Sequence, residues 1–169
     1  MDGVTVSEKQ TRLTEDFAII EDRQERLAAV VDHARRRPPL PAAEKNDAQR
    51  VPGCVSSVWL LGSVTDDRLH LRYDAESPLV KGLVGLLVEL YDGAPPAEVI
   101  STEPTILADR GLLRDLAPTR QNGLTAVRAR IKSLAQYPPR HQPRLRLTVR
   151  AIGLNRSQRI APLGDSING

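Results

Sequence analysis

The residue with the clearest capacity for chemistry is Cys54, because it is the one cysteine among 169 residues. A single thiol cannot form a disulfide within the chain, and it cannot build a multi-cysteine zinc or iron–sulfur site. It can act as a thiolate nucleophile, or it can be a small buried apolar side chain. Cys54 follows the turn residues Pro52 and Gly53, which let a thiol project from the backbone. The nucleophile and the buried side chain are therefore both kept as interpretations.

The three histidines, His33, His70 and His141, are scattered along the chain and share no spacing typical of metal ligands. We therefore expect no metal site. A cysteine hydrolase or transferase would need a base beside its thiol, and His33 or His70 would have to serve. Neither histidine lies in a recognisable catalytic motif. An independent cysteine-dependent enzyme remains an alternative, which turnover of an ester or amide without any partner would favour.

Charge divides the chain into two parts. The net charge is +3 and the isoelectric point is about 9.3. Residues 138–169 contain six arginines and one acid, whereas residues 1–137 hold 18 basic and 20 acidic side chains. We predict one folded domain over residues 1–137 and a flexible basic tail over residues 138–169. Such a tail could bind RNA or lipid, but a solvated extension is more common, so we do not expect a nucleic-acid partner.

Composition indicates one ordinary globular domain. Apolar residues make up 40% of the chain, enough for a core at this length, and aromatic residues only 3%. No apolar run approaches the ~18 residues that a membrane span needs, and the N-terminus lacks the basic and apolar regions of a secretory signal. We expect a cytoplasmic protein with no membrane partner.

The first elements that must position Cys54 are helices. Ser7 with Gln10 three residues later resembles a capping box and predicts the start of a first helix. Asp22 with Glu25 repeats that signal and predicts a second helix. The prolines of residues 38–41 end it.

A hairpin and two longer helices follow. Residues 55–61 predict a strand, Asp66 and Asp67 a turn, and residues 68–73 an alternating second strand. Ser77 and Pro78 predict the start of a buried helix over residues 79–91. Pro118 opens the last helix, with Thr119 as its cap. The fold class is therefore α+β, a small antiparallel sheet of about three strands packed by helices from both ends of the chain.

Three blocks of sequence resemble the SufE family of sulfur acceptors. Residues 50–60 read Arg-Val-Pro-Gly-Cys-Val-Ser-Ser-Val-Trp-Leu, close to the family's cysteine motif. Residues 74–83 resemble its acidic turn and Val-Lys-Gly-Leu helix, and residues 116–124 its Leu-Ser-Pro-Ser-Arg-x-Asn-Gly-Leu block. The blocks occur in the family's order, and the resemblance extends over about residues 12–136.

This resemblance implies a sulfur carrier. SufE-like proteins bind a cysteine desulfurase, SufS-like or CsdA-like, and their cysteine takes the terminal sulfur of its persulfide. That transfer stimulates the desulfurase and delivers sulfur to a scaffold complex for iron–sulfur cluster assembly. Cys54 would be the persulfide-forming residue. The pyridoxal phosphate belongs to the partner, and the resemblance implies no cofactor on this chain.

The resemblance also marks supporting or partner-binding residues around Cys54. Arg120 could lower the pKa of a nearby thiolate or pair with a partner carboxylate, or it could be an ordinary helix-terminal arginine. Asp74 and Glu76 could meet a basic patch on the desulfurase, or they could complement a helix N-terminus. The full set carried over is Gly53, Ser56, Asp74, Glu76, Arg120 and Gly123.

Two departures from the family motif lie beside the thiol. The family usually has glutamine one and three residues after its cysteine, where this chain has Val55 and Ser57. Partner contacts are therefore expected to differ, and a SufE-like module that regulates the desulfurase without carrying sulfur remains an alternative. We also expect the resting Cys54 to be partly shielded, because an exposed persulfide is open to oxidation and reduction.

Overall fold

The computed structural model describes residues 3–109 and 116–139. Its elements in chain order are two helices, a β-hairpin and four further helices. Their bounds are α1 Val6–Ala18, α2 Arg23–Arg35, β1 Val58–Thr65, β2 Arg68–Ala75, α3 Pro78–Tyr91, α4 Pro96–Ser101, α5 Ile106–Asp109 and α6 Pro118–Gln136. A single 3-10 turn, Ala42–Glu44, lies in the connection between α2 and β1. The α+β class is confirmed.

Helix α1 begins two residues before the predicted start. The capping box is formed by Thr5 and Glu8, with the Thr5 hydroxyl accepting from Glu8 N–H and the Glu8 carboxylate accepting from Thr5 N–H. A helix that starts after Thr5 has Val6 in its first turn, where Val6 is fully buried. The second cap is confirmed, because the Asp22 side chain accepts from Glu25 N–H.

The sheet contains two strands within the described residues, not about three. Strands β1 and β2 pair antiparallel, and the turn between them uses Asp66 and Asp67 at φ of 51° and 57°. Beside this pair, one isolated bridge joins Arg50 to Trp59, with backbone hydrogen bonds of 2.8 and 2.9 Å next to it. Pro52 lacks an N–H and Gly53 turns the chain away, so the pairing cannot extend.

Helix α3 is the central element and packs against α2, β2 and α6. The Ser77 hydroxyl accepts from Val80 N–H, and Pro78 occupies the first turn, as predicted. Helices α2 and α3 approach closely at Gly82, where an added Cβ would lie 2.2 Å from the Val30 carbonyl oxygen. The buried faces of these elements form one continuous hydrophobic core.

Helix α6 packs across β1 and carries the third block of the sequence towards Cys54. Gly62 of β1 receives Leu134, whose side chain would lie 3.0 Å from an added Cβ. The helix begins at Pro118 after Ala117, so Thr119 lies inside the first turn and does not cap it. Helix α6 ends at Gln136, close to the predicted domain boundary. The predicted tail from residue 140 lies outside the described residues, and no described helix is long and apolar enough to cross a membrane.

Candidate functional site

The loop of residues 52–57, which we call the cysteine loop, is held at both ends by backbone hydrogen bonds. Val51 N–H donates to the Val58 carbonyl oxygen at 2.8 Å, which closes the base of the loop. The carbonyl oxygen of Ser57 accepts from Glu76 N–H at 3.1 Å, which joins the loop to the end of β2. The loop is therefore fixed to the sheet at its ends and free of sheet pairing between them.

The conformation of Gly53 directs Cys54 inwards. Gly53 has φ of +85°, in the region that residues with a side chain rarely adopt. The thiol of Cys54 then donates to the Gly123 carbonyl oxygen, with a distance of 3.5 Å between the sulfur and the oxygen. A Cβ added to Gly123 would lie 3.4 Å from that sulfur, an ordinary van der Waals distance, so the thiol lies directly against α6 at this residue. Cys54 is half-buried, consistent with the expected partial shielding.

Cys54 forms part of the wall of a groove of about 580 Å³ between the cysteine loop, α3 and α6. The floor of this groove is formed by apolar side chains, which the sequence pattern had assigned only to the hydrophobic core. The lining comprises Cys54, Val55, Ser56, Ser77, Val80, Leu83, Val84, Ala117, Thr119, Arg120, Gly123, Leu124 and Val127. Of the predicted site residues, the groove therefore brings together Cys54, Ser56, Arg120 and Gly123.

The charge beside the thiol comes from an arginine that the sequence reasoning did not select. Burial raises the pKa of the Cys54 thiol, and the positive charge of Arg50 acts in the opposite direction. Arg50 belongs to the cysteine motif, and its position four residues before Cys54 could have identified it as the neighbouring cation. Arg120, the predicted cation, is exposed at the groove. Since burial prevails, the resting thiol is less ionised than an ordinary cysteine.

Asp74 is not available to a partner protein, because only 3% of it is exposed. Its carboxylate pairs with Lys45 at 2.7 Å and Lys81 at 3.2 Å. It also accepts from the backbone N–H groups of Leu40 and Ala75. The interpretation of Asp74 as a contact for a basic patch is thus corrected: its buried carboxylate joins the α2–β1 connection to β2 and α3. We call this group the Asp74 cluster.

The pKa of Asp74 reflects that arrangement. Burial raises it, but the hydrogen bonds from Lys45, Leu40, Lys81 and Ala75 together outweigh burial and lower the pKa below its ordinary value. The carboxylate is therefore held in its charged form. The other predicted acid, Glu76, is exposed, and its role as a partner contact stays a prediction.

The described histidines do not supply a base for Cys54. His33 pairs with Glu89, and His70 is exposed on the hairpin. Neither lines the groove. Within residues 3–109 and 116–139, no cluster of three or more histidine, cysteine or acidic side chains could hold a metal ion.

Comparison with known proteins identifies the family. Residues 11–135 match the SufE family, described as a Fe-S metabolism associated domain. The chain is 28% identical over 130 residues to an uncharacterized SufE-like protein of Rhizobium meliloti, covering 74% of this chain and 93% of that protein. It is 30% identical over 127 residues to the sulfur acceptor protein CsdE of Escherichia coli K12, covering 74% and 85%.

A solved structure agrees with these sequence matches. The solution structure of a hypothetical protein from Thermus thermophilus is similar, with a TM-score of 0.63 and 25% identity. The match covers 76% of this chain and 93% of that one. Because the family match spans more than half of the chain, this protein belongs to the SufE family.

Proposed function

We propose that this chain is a sulfur acceptor that takes persulfide sulfur from a cysteine desulfurase onto Cys54 and passes it towards iron–sulfur cluster assembly. The observation that carries the proposal is the placement of Cys54. The lone thiol of a SufE family member lies on a loop fixed only at its ends and forms the wall of a groove. The similarity to the sulfur acceptor CsdE supports the same role.

The transfer needs one nucleophile on this chain and no oxidant. The Cys54 thiolate attacks the terminal sulfur of the desulfurase persulfide. The bond between the two donor sulfurs breaks, and a new sulfur–sulfur bond forms on Cys54. The donor cysteine leaves as a thiolate with the bonding electron pair. Cys54 ends as a persulfide, and the desulfurase, freed of its product, can begin another turnover.

Because the pKa of Cys54 is raised, the partner would help to form the reactive thiolate. In the free protein, burial keeps the thiol largely protonated, which protects it from reaction with small oxidants. Docking of a desulfurase would expose the thiol or bring a base to it. Because the cysteine loop is free of sheet pairing between Val51 and Ser57, it can move without disturbing the core.

The partner would be a SufS-like or CsdA-like desulfurase that carries its own pyridoxal phosphate, and the recipient an iron–sulfur scaffold complex. The test incubates the chain with such a desulfurase, cysteine and a reductant, followed by mass spectrometry. Transfer of one sulfur atom adds about 32 Da to the peptide that contains Cys54. The control is Cys54→Ser, which should gain nothing. If desulfurase stimulation and cluster formation persisted with Cys54→Ser, the proposal would be wrong and a regulatory module would be favoured.

A stand-alone hydrolase is less well supported. A cysteine hydrolase needs a base within hydrogen-bond reach of its thiol. His33 and His70 both lie outside the groove lining, and His33 is paired with Glu89. Turnover of an ester or amide by the isolated protein would favour the hydrolase over the sulfur acceptor.

A further inference from the structure

Val55 exposes an aliphatic side chain directly beside the nucleophile. It is 78% exposed and borders the groove. Among the residues that the structure describes, the other large exposed apolar side chains are Val4, Ile19 and Tyr137, and these lie outside the groove lining. Val55 thus combines exposure, apolar character and contact with the groove.

The chemistry of transfer brings a partner close to this side chain. A sulfur–sulfur bond is about 2 Å long, so the donor sulfur has to come into bonding contact with Cys54. Adjacent Cα atoms are about 3.8 Å apart, so Val55 lies within the same contact area. A protein that delivers sulfur to Cys54 therefore comes close to the exposed Val55 side chain, and covering that side chain with an apolar partner residue gains free energy.

Two cations flank the site. Arg50 lies at the base of the cysteine loop, where its backbone bridges to Trp59, and Arg120 borders the groove from the first turn of α6. Both are exposed, and within the described residues neither is paired with a carboxylate. One exposed acid, Glu76, is also bound to the loop through its backbone, which leaves an excess of positive charge. We call Arg50, Val55 and Arg120 the cysteine rim.

We propose that the cysteine rim docks the desulfurase by receiving an apolar side chain flanked by carboxylates, next to the partner's persulfide cysteine. This inference rests on the proposed function and adds the chemistry of the partner surface. Val55 supplies the apolar contact of the complex. Arg50 and Arg120 meet the carboxylates and accelerate encounter, since charges at the edge of an interface act mainly on the association rate.

The expected effects differ between the two kinds of residue. Val55→Gln places a polar group against an apolar partner residue and should raise Kd about tenfold, the lower end of what one methylene group contributes in an apolar pocket. Val55→Asp should raise it further. Arg120→Gln should slow association and reduce its dependence on salt, with a smaller change in the dissociation rate.

The experiment measures docking separately from transfer. Kd and association rates for the desulfurase that loads Cys54 are measured by surface plasmon resonance, with every variant carrying Cys54→Ser so that no sulfur moves. The matched controls are Ile19→Gln, a similarly exposed aliphatic residue at the end of α1, and Arg36→Gln at the end of α2. Thermal unfolding of each variant checks that the fold is retained.

The outcomes separate the two proposals. A weaker complex with Val55→Gln but not with Ile19→Gln, together with a lower salt dependence for Arg120→Gln, supports the inference. Unchanged or tighter binding with Val55→Gln overturns it, even where wild-type Cys54 gains sulfur normally. An equal loss of affinity with Ile19→Gln overturns it as well. If no desulfurase binds or loads the wild-type chain, the proposed function fails and this inference fails with it.

Discussion

The cysteine loop and the Asp74 cluster lie side by side and have opposite chemistry. In the β-hairpin, Val58 at the end of the loop pairs with Ala75, and Trp59 pairs with Asp74. The Asp74 carboxylate is buried and has four hydrogen-bonding partners. The Cys54 thiol is half-exposed and has one long hydrogen bond. A fully paired group holds elements together, whereas a weakly held nucleophile at a groove remains available to a partner.

This difference has a structural basis in the partners that reach each group. The Asp74 cluster joins the α2–β1 connection to β2 and α3, which lie about 30 residues further along the chain, so its loss affects the whole fold. The cysteine loop is held by one backbone hydrogen bond across its base, by one from Glu76 to Ser57 and, through Cys54, by one carbonyl of α6. Substitutions in the two regions should therefore separate function from stability.

The largest expected effect is the loss of all sulfur transfer in Cys54→Ser. Serine is nearly the same size, and only one weak hydrogen bond changes. We expect the free energy of unfolding to change by less than about 1 kcal/mol. Mass spectrometry of the loaded peptide and urea unfolding of the same sample measure the two effects. A large loss of stability would show that Cys54 is a structural residue after all.

Asp74→Asn should have the reverse effect and destabilise the fold. The amide removes the negative charge that Lys45 and Lys81 share, at a site where the carboxylate is buried. Because the lysines retain some access to water, we expect a cost of about 3 kcal/mol in the free energy of unfolding, the lower part of the range for broken buried ion pairs. Urea unfolding at neutral pH measures it, with the exposed neighbour Glu76→Gln as the control.

The same cluster predicts how stability depends on pH. The folded pKa of Asp74 is lower than its unfolded value, so its contribution is present above the unfolded pKa and is lost as pH falls through the folded pKa. The stability difference between wild type and Asp74→Asn should therefore shrink in acid. A constant difference from neutral to acidic pH would contradict the role of the charged carboxylate.

The cysteine loop and the Asp74 cluster shift pKa values in opposite directions, and the pH dependence of Cys54 alkylation should show the upward shift of the thiol. Burial raises the pKa of the thiol, so iodoacetamide should react slowly at neutral pH and about tenfold faster per pH unit until that pKa is reached. The midpoint should lie above that of the urea-unfolded chain. Arg50→Gln should move it higher still, with Arg120→Gln as the matched control. A midpoint equal to that of the unfolded chain would show that the loop does not shield the thiol.

The smallest effect is expected for Gly123→Ala. Alanine favours the helix by about 1 kcal/mol, and its Cβ would lie 3.4 Å from the Cys54 sulfur, an ordinary van der Waals distance. The free energy of unfolding should therefore rise by no more than about 1 kcal/mol, while the added methyl group covers part of the thiol and should make alkylation modestly slower. A faster alkylation rate at neutral pH would mean that the methyl group displaces the thiol.

Local sequence signals predicted most of the fold. The caps at Asp22 and Ser77, the turn at Asp66 and the alternating strand of residues 68–73 were confirmed, since each depends on neighbours a few residues away. The first capping box was displaced because two overlapping patterns occur at residues 5–8 and 7–10, and burial of Val6 decides between them. The strand count was too high, because the segment before Cys54 forms one bridge and Pro52 and Gly53 then interrupt its pairing.

The site was only partly predictable for the same reason. Cys54 and Gly123 lie in separate motifs, and their contact across 69 residues depends on how α6 packs. Alternation along β2 places Asp74 on the outer face, yet the α2–β1 connection covers it there. Such contacts between distant segments determine which charged residues are buried, and no local pattern contains them.

The backbone hydrogen bond between Val51 and Val58 sets how far the sulfur can travel. Cys54 lies three residues from Val51 and three from Ser57, whose backbones are hydrogen-bonded to the sheet, so it is at the middle of a short loop. A fully extended tether of three residues reaches about 10 Å. Under the proposed function, a donor or recipient cysteine would have to come within that radius of the sheet edge, and transfer would need only the loop to bend while the core stays closed.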